Sequence, residues 1–213
     1  MNKKVKVLSF VVVGVIAVGA FAGFHVDMSN LMTKVIQTKV VKDLPVTRAD
    51  VAAAIAGYVI TEDEDLGDFE TCALNDEDLP DDMSSICYVI DQGIMLTDAD
   101  GYFNPSESMT RAEAARYFSV AHDYLVDNEI LDSVDVPDVC TTAVKKGSTK
   151  KTTTCMYKDV KNVDNFSYDV ANLVMNGISD VKAYKGKSFN PSKTFTQSQF
   201  KIWDKNFNKL LGQ

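Results

Sequence analysis

Apolar residues along the chain fall at helical spacing in short runs, and polar, turn-forming stretches separate the runs. In "SNLMTKVIQTKVVKD" Leu31, Met32, Val35 and Ile36 share one face behind Ser29 or Asn30 as N-cap, and Pro45 closes the segment. "VTRADVAAAIAGYVI" opens a second helix behind Thr47. "MSSICYVIDQGI" is helical and stops at Gly93, and "NFSYDVANLVMNGI" repeats that pattern up to Gly177, each with a C-terminal glycine suited to the left-handed conformation. A helix follows from Thr110 to about Leu125, and "TQSQFKIWDKNFNKLL" is the last. Two stretches break the rhythm. "TEDEDLGDFETCALNDEDLPDD" has many acids and few apolar residues and reads as a loop outside the core. "VCTTAVKKGSTKKTTTCMY" is rich in threonine and lysine and reads as an inserted strand pair or looped flap. The expectation is a mainly α chain of helix, turn, helix units with short strand pairings.

The units repeat. "GYFNPSESMTRAEAARYF" over 101–118 returns 86 residues later as "KSFNPSKTFTQSQFKIW". Phe103-Asn104-Pro105-Ser106 aligns with Phe189-Asn190-Pro191-Ser192, Gly93-Ile94 with Gly177-Ile178, and Thr110 with Thr196. A partial copy stands at Val46-Thr47-Arg48-Ala49-Asp50, against Met109-Thr110-Arg111-Ala112-Glu113. Such recurrence implies pieces that bury their faces against one another. Most of the signature has a structural reason. Proline fixes φ in the turn and the phenylalanine before it anchors the turn. Thr110 and Glu113 make a capping box. Ala112, Ala115 and Ala121 allow a close neighbour, with Phe118, Tyr124 and Leu125 filling the remaining space. Arg111 has no such reason, because a cation in the first turn opposes the helix dipole. Arginine beside free helix-start amides is a receiver for carboxylate or phosphate.

The turn and the Thr-Arg-Ala-Glu step at fixed spacing resemble the S-layer homology (SLH) motif. The resemblance is close over 81–125, degenerate over 157–211 and limited to the second half of the unit over 45–60. It implies a pseudo-threefold trefoil bundle that attaches an exported protein to the cell wall, with secondary cell-wall polysaccharide, often pyruvylated, held in grooves between repeats. On that basis Arg48 and Arg111 receive the ligand carboxylate, Thr47 and Thr110 shape the helix starts beside them, and Gly93 lets the backbone approach the sugar. Gln197 stands where the third copy's arginine belongs, so its groove can hydrogen-bond but cannot pair a charge. The first copy lacks an obvious leading helix, for which "NLMTKVIQTKVVK" is the candidate.

Composition changes this picture in three ways. "MNKKVKVLSFVVVGVIAVGAFAGF" has three lysines, an apolar run and an Ala20-x-Ala22 step, the marks of a signal peptide or of a retained membrane anchor. The expected organisation is therefore an export segment over 1–22, a helix and partial first repeat over 23–61, a second repeat with an acidic loop over 62–126, and a third, degenerate repeat with an insertion over 127–213. Export makes disulfides the default for Cys72, Cys87, Cys140 and Cys155. Four cysteines allow three connectivities. Both neighbouring pairs are 15 residues apart, which favours the local bridges Cys72–Cys87 and Cys140–Cys155, each worth roughly 3 kcal/mol on the entropic account. No C-x-x-C or paired histidine supports zinc instead. Lastly, the formal charge of −8 is unevenly placed: residues 62–139 hold 22 acids and 2 bases, residues 140–213 hold 5 acids and 13 bases. This balance argues against general nucleic-acid binding. It leaves open head-to-tail contact between copies, so the alternative function is a structural subunit of a surface layer or filament, with the repeats as scaffold.

Catalysis finds no foothold. The chain has no nucleophile elbow, metalloprotease motif or phosphate loop. His122 next to Asp123 reads as a surface pair. "LTDADGYFNPSE" fails as an EF-hand because its first position is Leu96. No cofactor is expected, beyond weak calcium binding by the acidic loop at 62–82. Tyr88, Tyr117 and Trp203 read as core, and Tyr102 is placed to stack on a sugar.

Overall fold

The computed structural model describes residues 44–61, 64–144, 149–182 and 186–213; the helix expected over 29–43 and the export segment over 1–22 lie outside them. Among the described residues are five α-helices, α1 (Arg48–Val59), α2 (Ser84–Asp91), α3 (Arg111–Asp127), α4 (Ser167–Met175) and α5 (Gln197–Leu210). A 3₁₀ turn spans Leu66–Phe69, and β1 (Cys140–Val144) pairs antiparallel with β2 (Lys151–Cys155).

The helix starts follow from the caps. Thr47 and Asp50 exchange hydrogen bonds between side chain and backbone at the head of α1, as Thr110 and Glu113 do at the head of α3. At α5 the Thr196 N–H donates to Gln199 Oε1 at 3.1 Å. Helices α2 and α4 end at Gly93 and Gly177, with φ of 68° and 71°. A Cβ at either would meet nothing within 4 Å, so the backbone conformation, not crowding, selects glycine there.

The residues just before the three cap threonines are joined in a closed ring of backbone hydrogen bonds. Val46 N–H donates to Phe195 (2.9 Å), Phe195 to Met109 (2.8 Å) and Met109 back to Val46 (3.2 Å). One step outward the pattern recurs: Arg48 to Glu107 (3.0 Å), Arg111 to Lys193 (2.9 Å) and Gln197 to Leu44 (2.9 Å). The ring therefore sets α1, α3 and α5 around a common point, with Val46, Met109 and Phe195 buried at its centre. Around it the core is aromatic. Trp203 is fully buried, edge-on to Phe118 at 5.5 Å and 4.6 Å from Phe195, while Tyr58 stacks on Phe207 at 4.4 Å.

Both expected disulfides, Cys72–Cys87 and Cys140–Cys155, are formed. The threonine- and lysine-rich stretch is a hairpin, tied at its base by the second disulfide and by Asn162, which bonds both the N–H and the carbonyl of Cys140. Two expectations need correction. The acidic stretch is not wholly outside the core: Phe69 packs edge-on against Tyr88 at 4.9 Å, and Asp76 is held in a turn clamp described below. His122 is no surface residue. It is 4% exposed, with Nδ1 3.3 Å from Asp123 Oδ1, because its position on α3 faces inward beside Ala121 and Leu125.

Several tyrosines are held protonated by the fold. Burial, then the 2.5 Å hydrogen bond to Asp204, raises the Tyr58 phenol; burial, then Glu64, raises that of Tyr88; burial raises that of Tyr157. In the unfolded chain these groups ionise at about 10, so above that pH the folded state binds more protons and stability falls as pH rises. Thermal melts should drop steeply above about pH 10, and Tyr58→Phe should make the alkaline limb shallower.

Candidate functional site

The Phe-Asn-Pro turns are built alike in the second and third copies. Asn104 and Asn190 take left-handed φ values of 56° and 60°, which asparagine tolerates better than most residues. Each turn is clamped by an aspartate from an earlier segment. Asp76 accepts from the N–H groups of Phe103 and Asn104, both at 2.7 Å, and Asp159 from those of Phe189 and Asn190, both at 2.8 Å. The sequence carries a faint signal for this pair, since Leu74-Asn75-Asp76 and Tyr157-Lys158-Asp159 each precede a Gly-stopped helix.

Against each turn lies the arginine of the preceding copy. Arg48 extends from the start of α1 over the second-copy turn. Its Nε donates to the Phe103 carbonyl at 2.6 Å, Nη1 to the Tyr117 hydroxyl at 2.7 Å and Nη2 to the Leu96 carbonyl at 2.9 Å. The guanidinium carbon sits 4.7 Å from the Phe103 ring centre and 5.3 Å from that of Tyr117. Arginine has five N–H donors; three are taken, and among the described residues no carboxylate pairs with this cation. It is half-buried and lines an open groove of about 530 Å³ with Gly93, Asp98, Tyr102, Glu107, Arg116 and Tyr117. Arg116, on α3, is exposed and adds a second positive charge. Asp98 is committed locally, accepting the N–H groups of Asp100 and Tyr102 at 2.9 Å. Tyr102 is 40% exposed at the groove.

Arg111 stands in the same relation to the third-copy turn. Nε donates to the Phe189 carbonyl at 2.7 Å, and the guanidinium carbon lies 4.6 Å from the Phe189 ring centre and 5.4 Å from that of Trp203. Here the likeness stops. Arg111 is 1% exposed, and Nη2 pairs with Asp180 Oδ1 at 2.9 Å. Nη1 is buried with no partner among the described residues. The neighbouring groove, about 550 Å³, is lined by Gly177, Asp180, Lys182, Ile202 and Asn206 among others. Counting from the glycines, Asp180 takes the place of Leu96; counting from the turns, Trp203 takes that of Tyr117 and Ile202 that of Arg116.

Of the residues singled out in the sequence, Arg48 and Gly93 meet in one groove, and Thr47 and Thr110 serve as the caps of α1 and α3. Arg111, expected as a carboxylate receiver, receives one from within the chain, because full burial of a guanidinium requires a counter-charge. Gln197 bonds Leu44 through its backbone and lies 3.4 Å from Asp50 through Nε2; the leading half of the first copy, which its groove would need, falls outside the described residues. Arg116, Asp180, Asp76 and Asp159 were not anticipated. The signal for Asp180 was the repeat alignment itself, which sets an acid opposite Leu96.

Among the described residues no cluster of histidine, cysteine, aspartate and glutamate is arranged to hold a metal ion, and no helix is long and apolar enough to cross a membrane. Comparison with protein families matches the S-layer homology domain twice, at residues 78–115 and 157–201. These stretches carry the two complete turns and both Gly-stopped helices described above. No curated protein matches the chain significantly.

Proposed function

From a chain that carries S-layer homology repeats, a cell-surface binding module and not a catalytic one, we propose a protein that attaches non-covalently to the cell wall by taking an anionic wall polysaccharide into the Arg48 groove. The observation that carries this reading is the state of Arg48. Its guanidinium is oriented by two carbonyls, a phenol and two ring faces, and among the described residues two of its N–H donors and its charge have no partner and suit an incoming acid. A sugar bearing a carboxylate, such as a pyruvate ketal, suits that receiver. Arg116 adds a second cation against the groove's two carboxylates, Asp98 and Glu107, Tyr102 offers a ring face, and the bare backbone at Gly93 leaves the groove wall open. The closed hydrogen-bond ring at the helix starts supports a pseudo-threefold trefoil for the three copies. Function at a wall calls for a protein outside the cell, with the basic, apolar segment over 1–22 as its export signal or retained membrane anchor.

The test is co-sedimentation with wall sacculi, intact and after extraction of their secondary polymers. The chain should pellet with intact sacculi and stay in solution with extracted ones. Equal pelleting with both would overturn the reading.

A second reading, a subunit that docks on other surface proteins, draws on the β1–β2 hairpin. Thr141, Thr142, Thr152, Thr153 and Thr154 are all exposed there, on the basic side of the charge division. Assembly of that kind should survive loss of Arg48 and weaken steeply with salt.

A further inference from the structure

The two described grooves share a receiver but differ in what occupies it. Arg48 is half-buried and water can share its charge, so two carbonyls and a phenol suffice. Arg111 is 1% exposed, and leaving such a cation without a counter-ion would be costly. Its ring neighbour has also changed. Tyr117 accepts a hydrogen bond from Arg48 Nη1, whereas Trp203 has only a donor and turns it to Asp180 Oδ1 at 2.7 Å. That single carboxylate oxygen therefore collects the Arg111 and Trp203 donors together, while Asp180 itself reaches the groove surface with 13% of its side chain exposed.

Resting on the reading of these grooves as acid receivers, we infer that Asp180 is a built-in carboxylate that fills the third-copy receiver, and that it confines external acids to the Arg48 groove. Asp180 is then the specificity-determining residue of the pair of grooves. The third-copy groove keeps Lys182 but has Ile202 in place of Arg116, and its guanidinium is already paired. A chain with Asp180 shortened would gain a second acid site, because the orphaned guanidinium and the Trp203 N–H would face the space the carboxylate leaves.

Chemical rescue tests this without any polysaccharide. All variants carry Arg48→Gln, which removes the first receiver. Thermal unfolding of Arg48→Gln and of Arg48→Gln/Asp180→Ala is followed in sodium acetate against sodium chloride at matched ionic strength. Acetate should leave the first unchanged and raise the second saturably. A site half-filled near 10 mM would shift the folded-to-unfolded ratio about tenfold at 100 mM, a rise of roughly 3–5 °C. If the alanine variant is unfolded in chloride, the circular-dichroism signal restored by acetate is the readout. Arg48→Gln/Asp180→Ser keeps an acceptor for Trp203 and decides the matter where alanine does not fold at all. No acetate-specific gain in the serine variant, or the same gain in Arg48→Gln alone, would overturn the inference. Failure of the wild type to bind wall polymer would count against the Arg48 receptor and leave this result standing.

Discussion

Replacing Arg111 with alanine is expected to destabilise the fold by about 3–5 kcal/mol, the usual cost of removing one partner from a buried ion pair. The loss has three sources. Asp180 would be left, among the described residues, with Trp203 Nε1 as its side-chain donor, the Phe189 carbonyl would lose its 2.7 Å bond, and the Phe189 and Trp203 rings would lose the cation beside them. Because Arg111 follows the cap that joins α3 to the central ring, the damage should reach the whole core and lower a single cooperative transition. Chemical denaturation checks it as a fall in midpoint without a change in slope. A loss below about 1 kcal/mol would mean the pair contributes no more than an exposed one. Wall binding at temperatures where the variant stays folded should persist, since Arg48 is untouched.

Arg48→Gln should behave in the opposite way. The side chain is half-buried and has no ion pair among the described residues, so its structural worth lies in three hydrogen bonds that water can partly replace. Binding should fall by roughly 10- to 150-fold, the equivalent of one charge-assisted contact of about 1.5–3 kcal/mol. Arg48→Lys should recover only part of it, because an ammonium keeps the charge but loses the planar fork and the stacking on Phe103 and Tyr117. Binding to immobilised polymer, read at several salt concentrations, separates these outcomes. Unchanged affinity in Arg48→Gln would remove the groove from the account.

How much of this was legible in the sequence depended on the range of the interaction. Thr47 as a cap, Thr110 with Glu113 three residues on, and Gly93 and Gly177 at helix ends act on their own backbone, and each was found where the spacing placed it. The two disulfides close short loops and followed from the even spacing of the cysteines. What escaped were polar side chains that act at long range. Asp76 lies among 22 acids over 62–139, and its place ahead of a Gly-stopped helix is too faint a mark to single it out as the one that clamps a turn 27 residues away. The burial of Arg111 and of His122 depends on how α3 is rotated against its neighbours, which one helix's pattern does not fix. Asp180 is the instructive case. The Leu96-to-Asp180 difference was visible in the alignment, but its meaning required knowing that this position faces the arginine of the preceding copy.

The most direct measurement is a ¹⁵N-resolved NMR titration of the folded chain with a soluble, pyruvylated fragment of wall polysaccharide. The account predicts saturable shifts of the Arg48 Nε–H and of the amides of Gly93, Thr97 and Tyr102, with Gly177, Asp180 and Lys182 undisturbed. Shifts concentrated at the β1–β2 hairpin, or spread equally over both grooves, or absent at saturating fragment, would contradict it.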